Sequence, residues 1–112
     1  MAAKIFIIED NTTTNLYLKQ TLEARGHEIT GLFLKGEQAI AAINNIEVNL
    51  IIMDIQLKGK LDGIETAKAI LEMIEVPIIY LTAFTDIDTI NRTKETSPVG
   101  YLSKPINEAN LF

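Results

Sequence analysis

Residues 49–54 have the sequence NLIIMD, in which a run of apolar residues ends abruptly in an acid. Residues 4–10, KIFIIED, repeat this pattern and end in two acids, and residues 77–82, PIIYLT, form a third run. Continuous apolar runs without alternation are typical of strands that are buried on both faces. The three runs therefore predict the central strands of a parallel sheet.

Helical patterns lie between the predicted strands. One helix face is predicted from a spacing of three and four residues, shared by Ile64, Ala67, Leu71 and Ile74. Asp62 and Glu65 stand in the positions of a capping box at its start. Leu18 and Leu22 indicate an earlier helix that Gly26 would end. Further helices are predicted around residues 39–43 and after residue 85, and weaker strands at residues 28–34 and 99–102.

Strand and helix thus alternate about five times within the chain, which predicts a three-layer α/β sandwich with right-handed crossovers. Five parallel strands suit the doubly wound order 2-1-3-4-5, with a switch point between strands 1 and 3. Only seven residues follow Pro105, about two helical turns, so the last helix is expected to be short or truncated. A chain cut from a longer polypeptide would explain this.

Composition limits the class of protein. The 112 residues predict one domain over residues 1–112, with fifteen acids, ten bases, a net charge of −5 and no cysteine. No basic stripe is present, so we expect no direct binding to nucleic acid. No apolar run approaches the roughly 20 residues that span a bilayer, and residues 1–5 do not resemble a signal peptide. A cytoplasmic domain without membrane contact is predicted.

Polar residues follow the ends of the predicted strands. Glu9 and Asp10 follow strand 1, Asp54 ends strand 3, Thr82 ends strand 4, and Lys104 lies just past strand 5. In a doubly wound sheet these ends meet at the edge where ligands bind. Crowded carboxylates repel unless a cation relieves them, and oxygen ligands suit Mg²⁺.

A carboxylate group, Mg²⁺, an ammonium group and a hydroxyl group around one pocket describe a site that handles a phosphoryl group. An aspartate can itself be the nucleophile and form an aspartyl phosphate. Taken singly, each of these residues is as well explained as a helix cap, a turn residue or a surface residue, and the combination carries the interpretation. His27, the only histidine, is predicted to be a surface residue rather than a base or a phosphocarrier.

The chain resembles the receiver domain of two-component response regulators, a flavodoxin-like fold. The resemblance covers the whole chain and rests on residues 8–11 (IEDN), 52–55 (IMDI), 62–65 (DGIE), 81–83 (LTA) and 100–105 (GYLSKP). It implies that Asp54 is the phosphoacceptor. It also implies that Glu9 and Asp10 hold Mg²⁺, with Asp54 and the backbone carbonyl of Gln56 completing the protein ligands.

The resemblance implies further roles at the ends of strands 4 and 5. Thr82 and Tyr101 resemble the switch pair of the family, and Lys104 resembles the lysine that contacts the phosphoryl group. The family commonly has a cis peptide at the position of Lys104-Pro105. The implied partner is a histidine kinase or a phosphotransfer protein, and a homodimer is a further expectation of the resemblance.

The sequence departs from the family pattern in three places. Lys58 stands where relatives commonly have proline, and the loop at residues 56–61 looks one residue longer and carries two lysines. Phe84 stands where many relatives have a smaller residue, and its ring could restrict attacking water. The short last helix counts against a dimer of the family's type, because relatives often use that surface.

Three functions from different classes are compatible with these residues. The first is a signalling receiver that catalyses only its own phosphorylation and autodephosphorylation, and so is not a metabolic enzyme. The alternative is a small Mg²⁺-dependent phosphohydrolase that works through an aspartyl phosphate, although Gln56 stands where such enzymes often have a second acid. The third is a degenerate receiver that serves only as a docking module.

Overall fold

A computed structural model describes residues 2–83 and 87–104 of the chain. Within these two ranges, five strands and four α-helices alternate, with a short 3₁₀ helix before the last strand. Their bounds are β1 Lys4–Ile8, α1 Thr12–Ala24, β2 Glu28–Phe33, α2 Gly36–Ala42, β3 Leu50–Asp54, α3 Gly63–Leu71, β4 Ile78–Thr82, α4 Ile87–Thr93, the 3₁₀ helix Lys94–Thr96 and β5 Gly100–Ser103.

The strands form one parallel sheet in the order β2-β1-β3-β4-β5, which confirms the predicted doubly wound topology. Strands β1 and β3 are neighbours, with Ile8 opposite Met53. Their carboxyl ends therefore lie side by side, and the chain leaves both strands at the same edge of the sheet.

Two apolar layers cover the faces of the sheet. One layer packs α1 against the sheet through Leu18 and Leu22, and the other contains side chains of α2, α3 and α4. The central strands are buried on both faces, with Ile51 and Ile52 on opposite sides of β3 and no more than 2% exposed. This explains why they have no alternating pattern.

Helix caps agree with the predicted signals. The Asp62 carboxylate accepts from Glu65 N–H and the Glu65 carboxylate accepts from Asp62 N–H, which forms the predicted capping box. Gly26 follows α1 with φ +90°, a conformation that favours glycine. The predicted face of α3 is confirmed and is incomplete. All four residues of that face contact the core, Leu71 and Ile74 from partly buried positions, but the fully buried Ile70 was missed and Ile74 lies beyond the end of the helix.

Several expectations lie outside the described residues. They concern the cis peptide at Lys104-Pro105, the ring of Phe84 and the length of the last helix. Within the described ranges, no helix is long and apolar enough to cross a membrane.

Candidate functional site

Three carboxylates converge at the carboxyl ends of β1 and β3. Glu9, Asp10 and Asp54 each offer an oxygen atom, and these atoms lie within 4.8 Å of one another. Glu9 is 0% exposed and Asp54 is 3% exposed, while Asp10 is partly exposed. The site therefore has a buried floor and one acid at its mouth.

Burial and a neighbouring acid raise the pKa of Glu9. Desolvation, followed by the hydrogen bond and negative charge of Asp54, raises the pKa of Glu9 to about 8. Lys104 acts in the opposite direction on the same carboxyl group but does not cancel these effects. A divalent cation would offset both the burial of the Glu9 charge and its repulsion by Asp54. Because the available donors are oxygen atoms, the site fits Mg²⁺.

Lys104 lies between the two buried acids. Its backbone N–H donates to Thr82 O at 2.9 Å, which ties the end of β5 to the end of β4. Its ammonium nitrogen is 3.1 Å from Glu9 Oε1 and 3.1 Å from Asp54 Oδ1. Burial lowers the pKa of Lys104, but the charges and hydrogen bonds of the two acids outweigh burial and raise it overall.

The loop after β3 contacts two of the acids through backbone N–H groups. Gln56 N–H donates to Asp54 Oδ1 and Lys58 N–H donates to Asp10 Oδ2, each at 3.2 Å. The backbone of Gln56 thus lies next to the carboxylate group of Asp54. Lys58, the departure from the family pattern, contacts the site through its main chain, which a proline could not do because it lacks N–H.

Gly63 allows α3 to begin close to the end of β3. Its N–H donates to Ile55 O at 2.8 Å. A Cβ atom at Gly63 would lie 1.9 Å from the carbonyl oxygen of Asp54, far inside van der Waals contact. Any side chain at this position would therefore push the helix away from Asp54.

Thr82 forms one wall of a small cavity of about 40 Å³ beside the site. Asp54, Ala83, Thr89 and Lys104 also line this cavity. The hydroxyl-bearing residue at the end of β4 is thus placed near the carboxylate group at the end of β3. The sequence predicted this proximity from the strand order alone.

Tyr101 is half-buried and tied to α4. Its hydroxyl group hydrogen-bonds Thr93 Oγ1, and its ring stacks on Tyr80 with centroids 6.2 Å apart. The Tyr80 hydroxyl group bonds Thr96 Oγ1 at 2.6 Å, and burial raises the pKa of Tyr80 to about 12. Two hydroxyl contacts therefore connect β4 and β5 with α4 and the 3₁₀ helix.

Sequence reasoning missed one residue that supports the acids. Asn15 is 1% exposed, and its amide group donates to Glu9 O at 2.7 Å. It lies one turn after Asn11, which accepts from Thr14 N–H as the N-cap of α1. The signal that could have found it was an amide side chain on the buried face of that helix.

His27 lies away from this edge of the sheet. It precedes β2, and its Nδ1 accepts a hydrogen bond from Ala3 N–H at 3.0 Å. It is half-buried rather than fully exposed, so its predicted surface position is only partly right. Because β1 and β2 begin at this end, the contact is structural and far from the acids.

Comparisons with known proteins identify the family of this chain. The sequence model of the family described as "Response regulator receiver domain" matches residues 5–112. The chain belongs to the response regulator receiver domain family. This membership confirms the predicted family and the predicted function as a receiver, and gives no support to the phosphohydrolase alternative.

Two relatives illustrate the range of proteins that contain such a domain. The chain is 31% identical over 109 residues to the transcriptional regulatory protein PdtaR of Mycobacterium tuberculosis (strain CDC 1551 / Oshkosh), covering 97% of this chain and 53% of that protein. It is 32% identical to the osmosensing histidine protein kinase SLN1 of Saccharomyces cerevisiae, covering 98% of this chain and 10% of that protein. The chain thus spans about half of the first relative and a tenth of the second.

Solved structures share the fold over nearly the whole chain. The signal receiver domain of a modulated diguanylate cyclase from Desulfovibrio desulfuricans G20 has a TM-score of 0.92 at 33% identity, covering 99% of this chain and 88% of that one. The receiver domain of sensor histidine kinase PA1611 from Pseudomonas aeruginosa PAO1 has a TM-score of 0.85 at 28% identity, covering 99% and 92%. The second structure has a magnesium ion coordinated in its active site cleft.

Proposed function

We propose that this receiver domain, over residues 1–112, accepts a phosphoryl group on the carboxylate group of Asp54. The observation that carries the proposal is the position of this buried carboxylate between the Glu9–Asp10 acid pair and the Lys104 ammonium group. Receiver domains interact with histidine kinases or phosphotransfer proteins, and such a phosphohistidine protein is the proposed donor. We place the reaction in the cytoplasm, because receiver domains typically work there.

Glu9, Asp10, Asp54 and the backbone carbonyl of Gln56 are the proposed Mg²⁺ ligands. The close carboxylate oxygens and the raised pKa of Glu9 support a cation at this position. Mg²⁺ bound there would neutralise negative charge on the transferring phosphoryl group and on the attacking carboxylate.

Gln56 and Lys104 orient the Asp54 carboxylate group for phosphoryl transfer. Gln56 N–H and the Lys104 ammonium group both contact Asp54 Oδ1 and so fix the orientation of the carboxylate group. An oxygen of Asp54 attacks phosphorus, the bond from phosphorus to the donor imidazole nitrogen breaks, and the imidazole leaves with the electron pair and takes up a proton. Lys104 then pairs with a phosphoryl oxygen instead of a bare carboxylate.

Thr82 and Tyr101 are proposed to report the phosphoryl group to the surface of the domain. Thr82 lines the cavity beside Asp54, so its hydroxyl group can donate to a phosphoryl oxygen. The half-buried Tyr101 of β5 already contacts α4 through Thr93, so a shift of α4 relative to β5 would alter that contact. Autodephosphorylation, in which water attacks phosphorus and releases phosphate, completes the cycle without turnover of a metabolite. A homodimer is a further proposal that rests on family membership alone.

The proposal is tested by incubation with acetyl phosphate and Mg²⁺ followed by intact mass measurement. We expect one added phosphoryl group on the wild type and none on Asp54→Asn, which keeps the size of the side chain. Glu75→Gln, which removes one exposed acid beyond the far end of α3, should be modified like the wild type. Equal modification of the wild type and Asp54→Asn would refute the assignment.

A further inference from the structure

The last residue of the loop Gln56–Leu61 forms a hydrogen bond with a residue of α2. Leu61 N–H donates to Glu37 Oε1 at 3.2 Å, although 24 residues separate the two along the chain. Glu37 lies in the first turn of α2 and is half-buried, so its backbone is part of a helix while its carboxylate group reaches the loop. This contact holds the loop on a rigid element of the fold.

The second oxygen of Glu37 packs against the same loop. Gly59 has φ +112°, a conformation that favours glycine, and a Cβ atom there would lie 3.3 Å from Glu37 Oε2. The Glu37 carboxylate thus contacts the loop at Leu61 through one oxygen and approaches the backbone of Gly59 with the other. The Glu37 carboxylate group therefore lies beside two points of the loop and is hydrogen-bonded to one of them.

The near half of this loop carries the groups of the metal site. Lys58 N–H donates to Asp10 Oδ2, and Gln56 N–H donates to Asp54 Oδ1. Lys58 is directly followed by Gly59, which Glu37 approaches. Only two residues, Gly59 and Lys60, lie between Lys58, whose N–H contacts Asp10, and Leu61, whose N–H contacts Glu37.

We propose that Glu37 is a positioning residue for Mg²⁺ binding, acting through the loop Gln56–Leu61 and touching neither the metal nor the phosphoryl group. The inference rests on the proposed metal site. The apparent affinity for Mg²⁺ is proportional to the fraction of molecules whose loop is in the binding conformation. Removal of one hydrogen bond to a carboxylate should make other loop conformations accessible, and we expect about a three- to tenfold weaker Mg²⁺ affinity.

The test is a titration of the whole chain with MgCl₂, followed by backbone amide NMR shifts, for the wild type and three variants. Glu37→Ala removes the acceptor, whereas Glu37→Gln keeps an acceptor oxygen and removes the charge. Gln38→Ala is the matched control, because the Gln38 side chain also accepts a backbone N–H at the start of α2, from Leu34 at 3.3 Å, but does not hold the loop. Hydrogen exchange at the Leu61 amide is measured in parallel.

We expect weaker Mg²⁺ binding and faster exchange at Leu61 in Glu37→Ala, and values close to wild type in Glu37→Gln and Gln38→Ala. Wild-type affinity in Glu37→Ala would overturn the role of Glu37 and leave the metal site standing. Equal loss in Glu37→Gln and Glu37→Ala would overturn positioning by the hydrogen bond, because charge alone would then explain the loss. Failure of the wild type to bind Mg²⁺ would overturn the metal site and this inference together.

Discussion

The metal-free protein should lose stability as the pH rises from 5 to 8, because of Glu9. This carboxyl group is 0% exposed, and burial together with Asp54 raises its pKa to about 8 from the ordinary value of 4.5. Between these two values the folded state holds a proton that the unfolded state has lost. The free energy of unfolding therefore decreases as the pH rises through this range.

The magnitude follows from the size of this shift. One proton gives a slope of at most about 1.4 kcal/mol per pH unit, and the shift from 4.5 to about 8 gives an upper bound of about 5 kcal/mol. Lys104 does not contribute in this window. Its folded pKa is raised from 10.5, so the stability it supplies is fully present below that value and is lost only at higher pH.

The assay is urea unfolding in a chelating buffer at several pH values, followed by far-ultraviolet circular dichroism. Glu9→Gln places a neutral amide where the folded wild type holds a protonated carboxyl group. We expect the two proteins to have similar free energies of unfolding at pH 5. At pH 8.5 the variant should be more stable by about 2 kcal/mol or more.

The difference between the two proteins at each pH reports Glu9 together with its effect on its neighbours Asp54 and Lys104, because all other titratable groups are the same. A wild-type free energy of unfolding that stays constant from pH 5 to 8 would refute the reasoning. The same slope in Glu9→Gln would do so as well, since the titrating group would then lie elsewhere.

Two further predictions concern the switch and the start of α3. Thr82→Ala should still accept phosphate at Asp54, but the NMR shift change at Tyr101 on phosphorylation should be much smaller. The reason is the loss of one charge-assisted hydrogen bond, worth about 1.5–3 kcal/mol. A full wild-type response would show that the conformational change does not depend on Thr82. Gly63→Ala should lower the free energy of unfolding by about 3 kcal/mol in urea, since its Cβ would lie 1.9 Å from Asp54 O. Gly100→Ala, whose Cβ meets nothing within 4 Å, is the control, and equal stability of the two alanine variants would contradict the packing argument.

The sheet order and the meeting of the acids were predictable from the sequence, because the strands have clear local patterns and alternating strands and helices favour one doubly wound order. Apolar runs that end in acids identify β1 and β3, and the doubly wound order then places Glu9 beside Asp54. The capping box at Asp62 and Glu65 was predictable for the same reason, since both partners lie within one helical turn.

The supports of the site were not predictable, because they join residues that are distant in sequence. Glu37 contacts Leu61 across 24 residues, and the sequence contains no spacing that relates them. The hydrogen bond from Tyr101 to Thr93 likewise depends on how α4 packs against β5. Such contacts are set by side-chain direction and packing, which a pattern of apolar residues does not encode.

The most direct test of the account locates the phosphoryl group on the wild-type chain. The protein is phosphorylated with acetyl phosphate with and without Mg²⁺, reduced with borohydride to convert an acyl phosphate to an alcohol, digested, and sequenced by tandem mass spectrometry. We predict homoserine at residue 54, formed only when Mg²⁺ is present. Homoserine at another aspartate, the corresponding five-carbon hydroxy amino acid at a glutamate, or the same yield at residue 54 in a chelating buffer would contradict this assignment.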